Sequence, residues 1–297
     1  VLLMHFDGSN AEIPTPPLGG FADATGRHTG AFVAGNPTAL STDQTRFGAT
    51  SVAMRTQGLR LELVDHADWD FSSNDFTIEC FVFFNSYPSS VGISAASIWS
   101  QDDDAPNFAP VNFAIGSTGK LRLWASSTGT SWNLINDQVG TTAVGLSAWH
   151  HLALTRQGST FRFFIDGVLD TTVSATGALF ASSRAVNIGQ FQNELGSFNG
   201  FMDELRVTNG AAWYTGAFTP PIAPFALTGA AATAAASTVT ERRYVEYFDD
   251  AGLSYPTLNL DAAYTCDTVI ARTVFTGVGH LEGITVQVVA DGAIRPP

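Results

Sequence analysis

The sequence is short of most features that would narrow its function at once. Cysteine occurs twice, as Cys80 and Cys266, in stretches predicted below to belong to different domains, so no disulfide framework is expected. Charged residues make up only 14%, and thirteen of the fourteen cations are arginine. Against 27 acids they leave a net charge of −13, a surface that repels phosphate backbones and excludes non-specific nucleic-acid binding. The deficit is spread along the chain, with 10 cations and 19 anions in residues 1–227 and 4 and 8 in residues 228–297. No apolar run reaches the ~18–20 residues that cross a bilayer, so no membrane span is expected. The opening VLLMHFDGSN lacks the basic start and long apolar stretch of a signal peptide. Helical spacing, with apolar residues at i, i+3, i+4 and i+7, is almost absent, which removes helix bundles.

What is present is apolar residues, 45% of the chain, enough for a large core. Val, Ile, Phe, Thr and Trp fall in short runs divided by Gly, Asn, Asp and Ser, the pattern of an all-β chain. The clearest hairpin is Phe161–Ile165, Asp166-Gly167, Val168–Thr172, because Asp-Gly accepts the positive φ angles of a two-residue turn. Further strands are expected at 51–55, 59–64, 75–84, 94–100, 111–116, 120–125, 149–155, 185–189 and 200–207, enough for two packed antiparallel sheets. Residues 1–227 are expected to be one domain. Residues 228–240, small and uncharged, read as an Ala/Thr-rich linker, and 241–297 as a small β-rich unit whose Asp291-Gly292 turn points toward a missing return strand. Either the sequence stops short there or a neighbouring chain completes that sheet.

Three stretches carry a family resemblance. DFTIECFVFF (75–84), WHHLALTRQGSTFRFFIDGVLDTT (149–172) and FNGFMDELRVTNGAAWYTGAFTPPIAPF (198–225) resemble, in order and spacing, the strands, central hairpin and closing segment of laminin G-like domains. That resemblance implies a concanavalin A-like jelly-roll sandwich of two antiparallel sheets. The LLMHFDG opening and the FTPP exit are similar to versions found in bacteriophage virion proteins. ERRYVEYFDD and GHLEGITVQVVADGAIRPP resemble a segment of phage tail proteins. Implied are a tail- or fibre-associated structural protein localised to the virion and attached to other virion proteins through 241–297. It would be a homo-oligomer and would present the lectin-like domain to a host-surface glycan.

Strand alternation places Phe201, Asp203, Leu205 and Val207 on one face and Met202, Glu204 and Arg206 on the other, so a carboxylate falls among apolar side chains. Such a group needs a cation, hydrogen-bond donors or a raised pKa. The matching aspartate of concanavalin A-like glucanases helps to bind a structural calcium, which implicates Asp203 with Asp7 and Gly8; the alternative is a carboxylate satisfied by backbone N–H groups. Asp102, Asp103, Asp104 and Asn107 offer oxygens for calcium or sugar, or form a solvated acidic loop. Trp99, Trp124 and Trp132 are candidates to floor a glycan site or to fill the core. Catalytic patterns are missing: no paired-carboxylate strand, no G-x-S-x-G and no phosphate-binding loop occur. His150 and His151 should face opposite ways, and Cys80 should be a core residue. The expected function is therefore non-enzymatic. A calcium-dependent carbohydrate-binding module of a bacterial surface or secreted adhesin is the alternative.

Overall fold

The computed structural model describes residues 2–227 apart from 14–20, 29–31, 34–35, 56–58, 89–94, 102–107 and 192–195, and beyond 227 the strand residues 238–245, 258–265, 271–275, 281–288 and 294–295. The chain divides into two compact units, Val1–Ala232 and Thr233–Pro297.

The first unit is a sandwich of two antiparallel sheets. Across the first sheet the strands run Val168–Ser174, Thr160–Ile165, Trp149–Gln157, Phe76–Ser86, Asn199–Asn209, Ser51–Met54 and Ala39–Ser41, with Leu2–Met4 also paired to Asn199–Asn209. Across the second they run Ile135–Ala143, Lys120–Ala125, Val111–Gly116, Ala95–Ser100, Val186–Ile188, Leu59–Leu63 and Phe32–Val33. The short Asn36–Pro37 strand joins the last sheet in parallel beside Leu59 and Arg60. A concanavalin A-like jelly roll was expected, and this is its architecture.

The period of two explains the layering. In Phe76–Ser86, Ile78, Cys80, Val82 and Phe84 point between the sheets, and Glu79 and Phe81 point away. Opposite them stand Leu121 and Leu123, Phe113 and Ile115, and Ile98 with Trp99, all in one buried cluster with Phe161 and Phe163. Each such side chain contributes about 1.5–3 kcal/mol on burial, so this layer drives folding. Cys80 sits there as expected, and burial raises its thiol far from reactivity. In the predicted hairpin Asp166 and Gly167 take φ of 50° and 75°. Gly167 is required twice over, because a Cβ there would lie 1.9 Å from the Phe218 carbonyl oxygen.

Simple alternation fails in Asn199–Asn209. Its register against Phe76–Ser86 slips between Asp203 and Arg206, and Glu204 takes φ of 52°. This bulge corrects the expected faces. Met202, Leu205 and Val207 enter the core, whereas Phe201, Asp203 and Arg206 pair with Phe83, Phe81 and Glu79 on the outer face.

In the second unit Thr238–Val245, which begins inside the segment expected to be linker, pairs with Leu258–Thr265 over eight residues. Ala271–Phe275 pairs with Leu281–Val288, and Ile294–Arg295 returns against Gln287 and Val288, so the chain does supply a return strand.

Candidate functional site

The outer face of the first sheet is sealed by the segment that leaves Asn199–Asn209. Tyr214 stacks on Phe218 at 3.5 Å between ring centroids, and with Ala153 and Phe164 they form a buried cluster beside Trp213. Beneath it Glu79, fully buried, accepts hydrogen bonds from Arg206 Nε (2.7 Å) and Tyr214 Oη (2.7 Å) and is held by His151 Nε2 at 3.1 Å. Burial pushes the Glu79 carboxyl upward, but His151, Arg206 and Tyr214 outweigh it and hold the group below its usual range. Burial, then the charge of Glu79, pushes the Tyr214 phenol up. The Arg206 guanidinium lies 4.1 Å from both the Trp213 and the Phe225 ring centroids. His150 instead pairs with Asp166 at 2.6 Å and lies opposite Val82, so the two histidines share no site.

Asp203 lies on this same face. Its Oδ2 accepts from the backbone N–H groups of Arg46 (2.9 Å) and Phe47 (3.1 Å), while Oδ1 is buried and has no hydrogen-bond partner among the described residues. Burial pushes its carboxyl up to about 7, against the two N–H donors, and the charges of Glu204 and Asp7 add to the rise. Glu204 does not point away. It holds His5 Nδ1 at 2.7 Å and accepts from Phe225 N at 2.7 Å, and the bond to Glu204 raises the His5 pKa against its burial. The other two expected metal ligands are engaged elsewhere. Asp7 is exposed and accepts from Ala49 N at 2.8 Å, and Gly8 N donates to Thr50 Oγ1 at 2.9 Å. Asp203 Oδ1 is thus a buried oxygen without a hydrogen-bond partner among the described residues, while Asp7 and Gly8 are turned toward the 48–50 loop.

The outer face of the second sheet has a different composition. Register puts Ser97, Asn112, Ala114, Arg122 and Trp124 on it. Trp124 packs on Ala95 and Ala114, with Trp132, half-buried, 6.4 Å away and edge-on to Phe108 at 4.9 Å. Arg122 lies 4.6 Å over Trp124 and grips Asp137 with two hydrogen bonds of 2.8 and 2.5 Å. Farther across, Arg60 pairs with Glu62 and donates to Gln190 Oε1 at 3.0 Å. Ser97 Oγ donates to Asn112 Oδ1 at 3.1 Å, leaving Asn112 Nδ2 and Gln190 Nε2 without acceptors among the described residues.

Of the three tryptophans that were candidates to floor a glycan site or to fill the core, Trp124 and Trp132 come together here, Trp124 buried and Trp132 half-buried. Trp99 does not: a register shift after Ser97 turns it into the core, edge-on to Trp69 at 5.3 Å. Asp102, Asp103, Asp104 and Asn107 lie outside the described residues. Sequence reasoning missed Arg122, Asp137, Arg60, Glu62 and Gln190. Arg122 was legible as an outward residue between Leu121 and Leu123, but its partner sits in Ile135–Ala143, a polar edge strand that carries no apolar alternation.

Residues 60–212 match the family model of the concanavalin A-like lectin/glucanases superfamily. A search of curated protein sequences found no match. Among solved structures, domain 4 of AbnA, a GH43 extracellular arabinanase from Geobacillus stearothermophilus in complex with arabinotriose, is 18% identical, with 71% of this chain and 92% of that one covered and a TM-score of 0.51. The binding domain of Paraclostridial Mosquitocidal Protein 1 is 10% identical over 64% of this chain and 46% of that one, with a TM-score of 0.50. Mouse laminin alpha1 chain domains LG4-5 are 11% identical over 56% of this chain and 44% of that one, with a TM-score of 0.39. At these identities the solved structures report the fold alone, but the match of the family model over residues 60–212 shows that this chain belongs to the concanavalin A-like lectin/glucanases superfamily.

Proposed function

We propose that the chain is a non-enzymatic glycan-recognition protein whose contact surface is the outer face of the second sheet around Trp132. The carrying observation is Trp132, a half-buried indole of the kind sugars stack on, backed by the buried Trp124 and bordered by the fixed hydrogen-bonding groups of the Arg122–Asp137 pair. Domain 4 of the arabinanase, built on a similar fold, holds arabinotriose. The non-enzymatic reading rests on two acids. Asp137 is held by Arg122 and Glu62 by Arg60, whereas glycoside hydrolysis needs one acid free to protonate a leaving group and another free to act as base or nucleophile.

The setting proposed for this domain is a bacteriophage virion, tail- or fibre-associated, with residues 241–297 contacting other virion proteins and the chain forming a homo-oligomer. That reading is supported by the likeness of ERRYVEYFDD and GHLEGITVQVVADGAIRPP to phage tail segments. We also propose a structural calcium at Asp203 Oδ1, supported by that oxygen being buried without a partner among the described residues.

The test is a glycan array with the full-length protein, repeated with Trp132→Ala and with EDTA. Saturable binding to a narrow glycan class, lost in the variant, supports the proposed surface; binding that survives Trp132→Ala moves the site elsewhere. Release of reducing sugar from a bound polysaccharide would overturn the non-enzymatic reading. A full-length monomer that captures no virion protein would count against the virion role. Calcium is tested by melting: a lower Tm in EDTA is expected, and an unchanged one leaves Asp203 as a protonated structural acid.

A further inference from the structure

A third cluster of titratable side chains, on neither of the two outer faces described above, has the chemistry of a transition-metal site. His66, Ala67 and Asp68 lie where the chain crosses from Leu59–Leu63 of the second sheet to Phe76–Ser86 of the first. Ala67–Trp69 form one turn of 3-10 helix there, capped by the His66 side chain accepting from Asp68 N. His28 reaches the same point from the segment after Phe21. Its Nε2 is 3.2 Å from Asp68 Oδ2, and His66 Nδ1 is 3.7 Å from the same oxygen. One ligand atom from each of the three residues falls within 4.8 Å of the other two. The imidazole rings of His28 and His66 meet edge-on at 4.6 Å, and that of His28 is stacked on Trp69 at 4.4 Å.

Both arms of the cluster are fixed from behind. Asp23 accepts from the backbone N–H groups of Leu3, Thr25 and His28, which shapes the segment that presents His28. Asn209 Nδ2 donates to the carbonyls of Asp68 (3.2 Å) and Asp70 (3.3 Å), and Trp69 Nε1 donates to Val64 O at 3.1 Å. The turn bearing His66 and Asp68 is therefore anchored to the first sheet through Asn209 and to the core through Trp69, as a preorganised ligand set requires. A cation already occupies the carboxylate: Arg27 binds Asp68 through Nε and Nη2, each at 2.8 Å. The Arg27 side chain is 55% exposed and can leave without opening the core.

We infer that His28, His66 and Asp68 bind one divalent transition-metal ion of the zinc class, which replaces the Arg27 guanidinium on Asp68. Two borderline imidazole nitrogens with one carboxylate oxygen form a donor set that suits zinc, and the nitrogens do not suit calcium or magnesium, which take oxygen. Zinc held at about 2.0–2.1 Å by each donor brings tetrahedral ligand atoms to about 3.3 Å from one another, close to the His28–Asp68 separation. His66 Nδ1 accepts from Asp68 N, so the half-exposed ring must turn, giving up that bond or presenting Nε2, to reach the ion. The ion ties the segment around His28 to the crossover between the sheets. It also leaves a fourth position for water or for a ligand atom of another molecule.

The experiment is titration of ZnCl2 into the untagged full-length protein, stripped with a chelator, by calorimetry, with CaCl2 as the control and Tm recorded in parallel. One zinc per chain is expected, with a raised Tm, and any calcium heat, such as that of the site proposed at Asp203, should be the same in the wild type and in His66→Asn. His66→Asn keeps a side-chain acceptor for the cap but removes the imidazole, so it should fold normally and bind zinc roughly tenfold or more weakly. Arg27→Gln removes the competing cation and should bind more tightly than the wild type. Zinc binding unchanged by His66→Asn, an Arg27→Gln variant that binds no more tightly, or no saturable zinc binding in either the wild type or Arg27→Gln would each overturn the assignment.

Discussion

The two outer faces of the sandwich use similar side chains to opposite ends. On the first sheet, aromatic rings and a charged network are covered by the chain's own exit segment: Glu79 has three partners, and Arg206 lies between Trp213 and Phe225. On the second sheet the indoles of Trp124 and Trp132 meet each other and Phe108, with Arg122 gripping Asp137 at a half-buried margin. A tryptophan or an arginine therefore says little about function by its type. What decides is whether the chain has already supplied the surface it packs on.

The largest way to break the contrast is to damage the sealed face and ask whether the other one notices. Glu79→Gln leaves Arg206 without its buried counter-charge, which should cost about 3–5 kcal/mol and roughly 10 °C in Tm. Glycan affinity of the folded fraction should stay at the wild-type level. The pH dependence has a defined sign: the Glu79 pKa is depressed on folding, so its stabilisation is present above the unfolded carboxylate value of about 4.3 and is lost as pH falls through the folded one. Thermal melts from pH 7 down to pH 3 should show a shallower acid limb in Glu79→Gln than in the wild type.

Asp203 has the opposite sign on the same face. Its pKa is raised to about 7, so the stability it contributes is full below about pH 4 and is lost as pH rises through about 7. In EDTA, Asp203→Asn should therefore melt above the wild type at pH 8, by an amount of the order of 3 kcal/mol, and match it near pH 4. Should calcium occupy the site, the order at pH 8 reverses when calcium is restored, because the amide loses the ion. Melts of both proteins in both buffers give four curves, and an absent pH 8 gap in EDTA would remove the buried-acid account.

Much of the sandwich was legible, and the reasons lie in particular strands. Phe76–Ser86 and Trp149–Gln157 are read correctly because each is a long run rich in apolar and β-branched residues, buried on both faces; Phe161–Ile165 is announced by the Asp166-Gly167 turn. Ile135–Ala143 was invisible because an edge strand with one covered face needs few apolar residues, and INDQVGTTA has only two large ones, Ile135 and Val139. The faces of Asn199–Asn209 were misassigned because a bulge leaves no mark in hydrophobic periodicity; Glu204 at positive φ is an ordinary glutamate in the sequence. The same limit hid the His28, His66 and Asp68 cluster, whose members are brought together only by the crossover between sheets.

A smaller effect is expected on the second sheet. Trp132 is half-buried at the margin, so Trp132→Ala should cost little stability, yet it removes the ring that the glycan would contact and should weaken binding at least about fivefold. A loss of Tm as large as that of Glu79→Gln would show that Trp132 is core, and the contrast between the faces would fail.

The smallest perturbation is the sharpest. The Arg122–Asp137 pair is partly exposed, with 20% and 36% of the side chains accessible, so Asp137→Asn should change stability by less than about 1 kcal/mol. Its effect on recognition runs through geometry: the two-point grip of Asp137 fixes the guanidinium that lies over Trp124, and an amide offers only one acceptor oxygen to that fork. If the pair merely decorates an edge strand, Asp137→Asn leaves both Tm and glycan affinity untouched. If it positions Arg122 for a sugar hydroxyl, affinity falls while Tm does not, and Arg122→Lys, which keeps the charge and loses the fork, shows the same split. Measured side by side with Glu79→Gln, where Tm should fall and affinity should not, the pair of variants separates a face built for holding the fold from one built for holding a ligand.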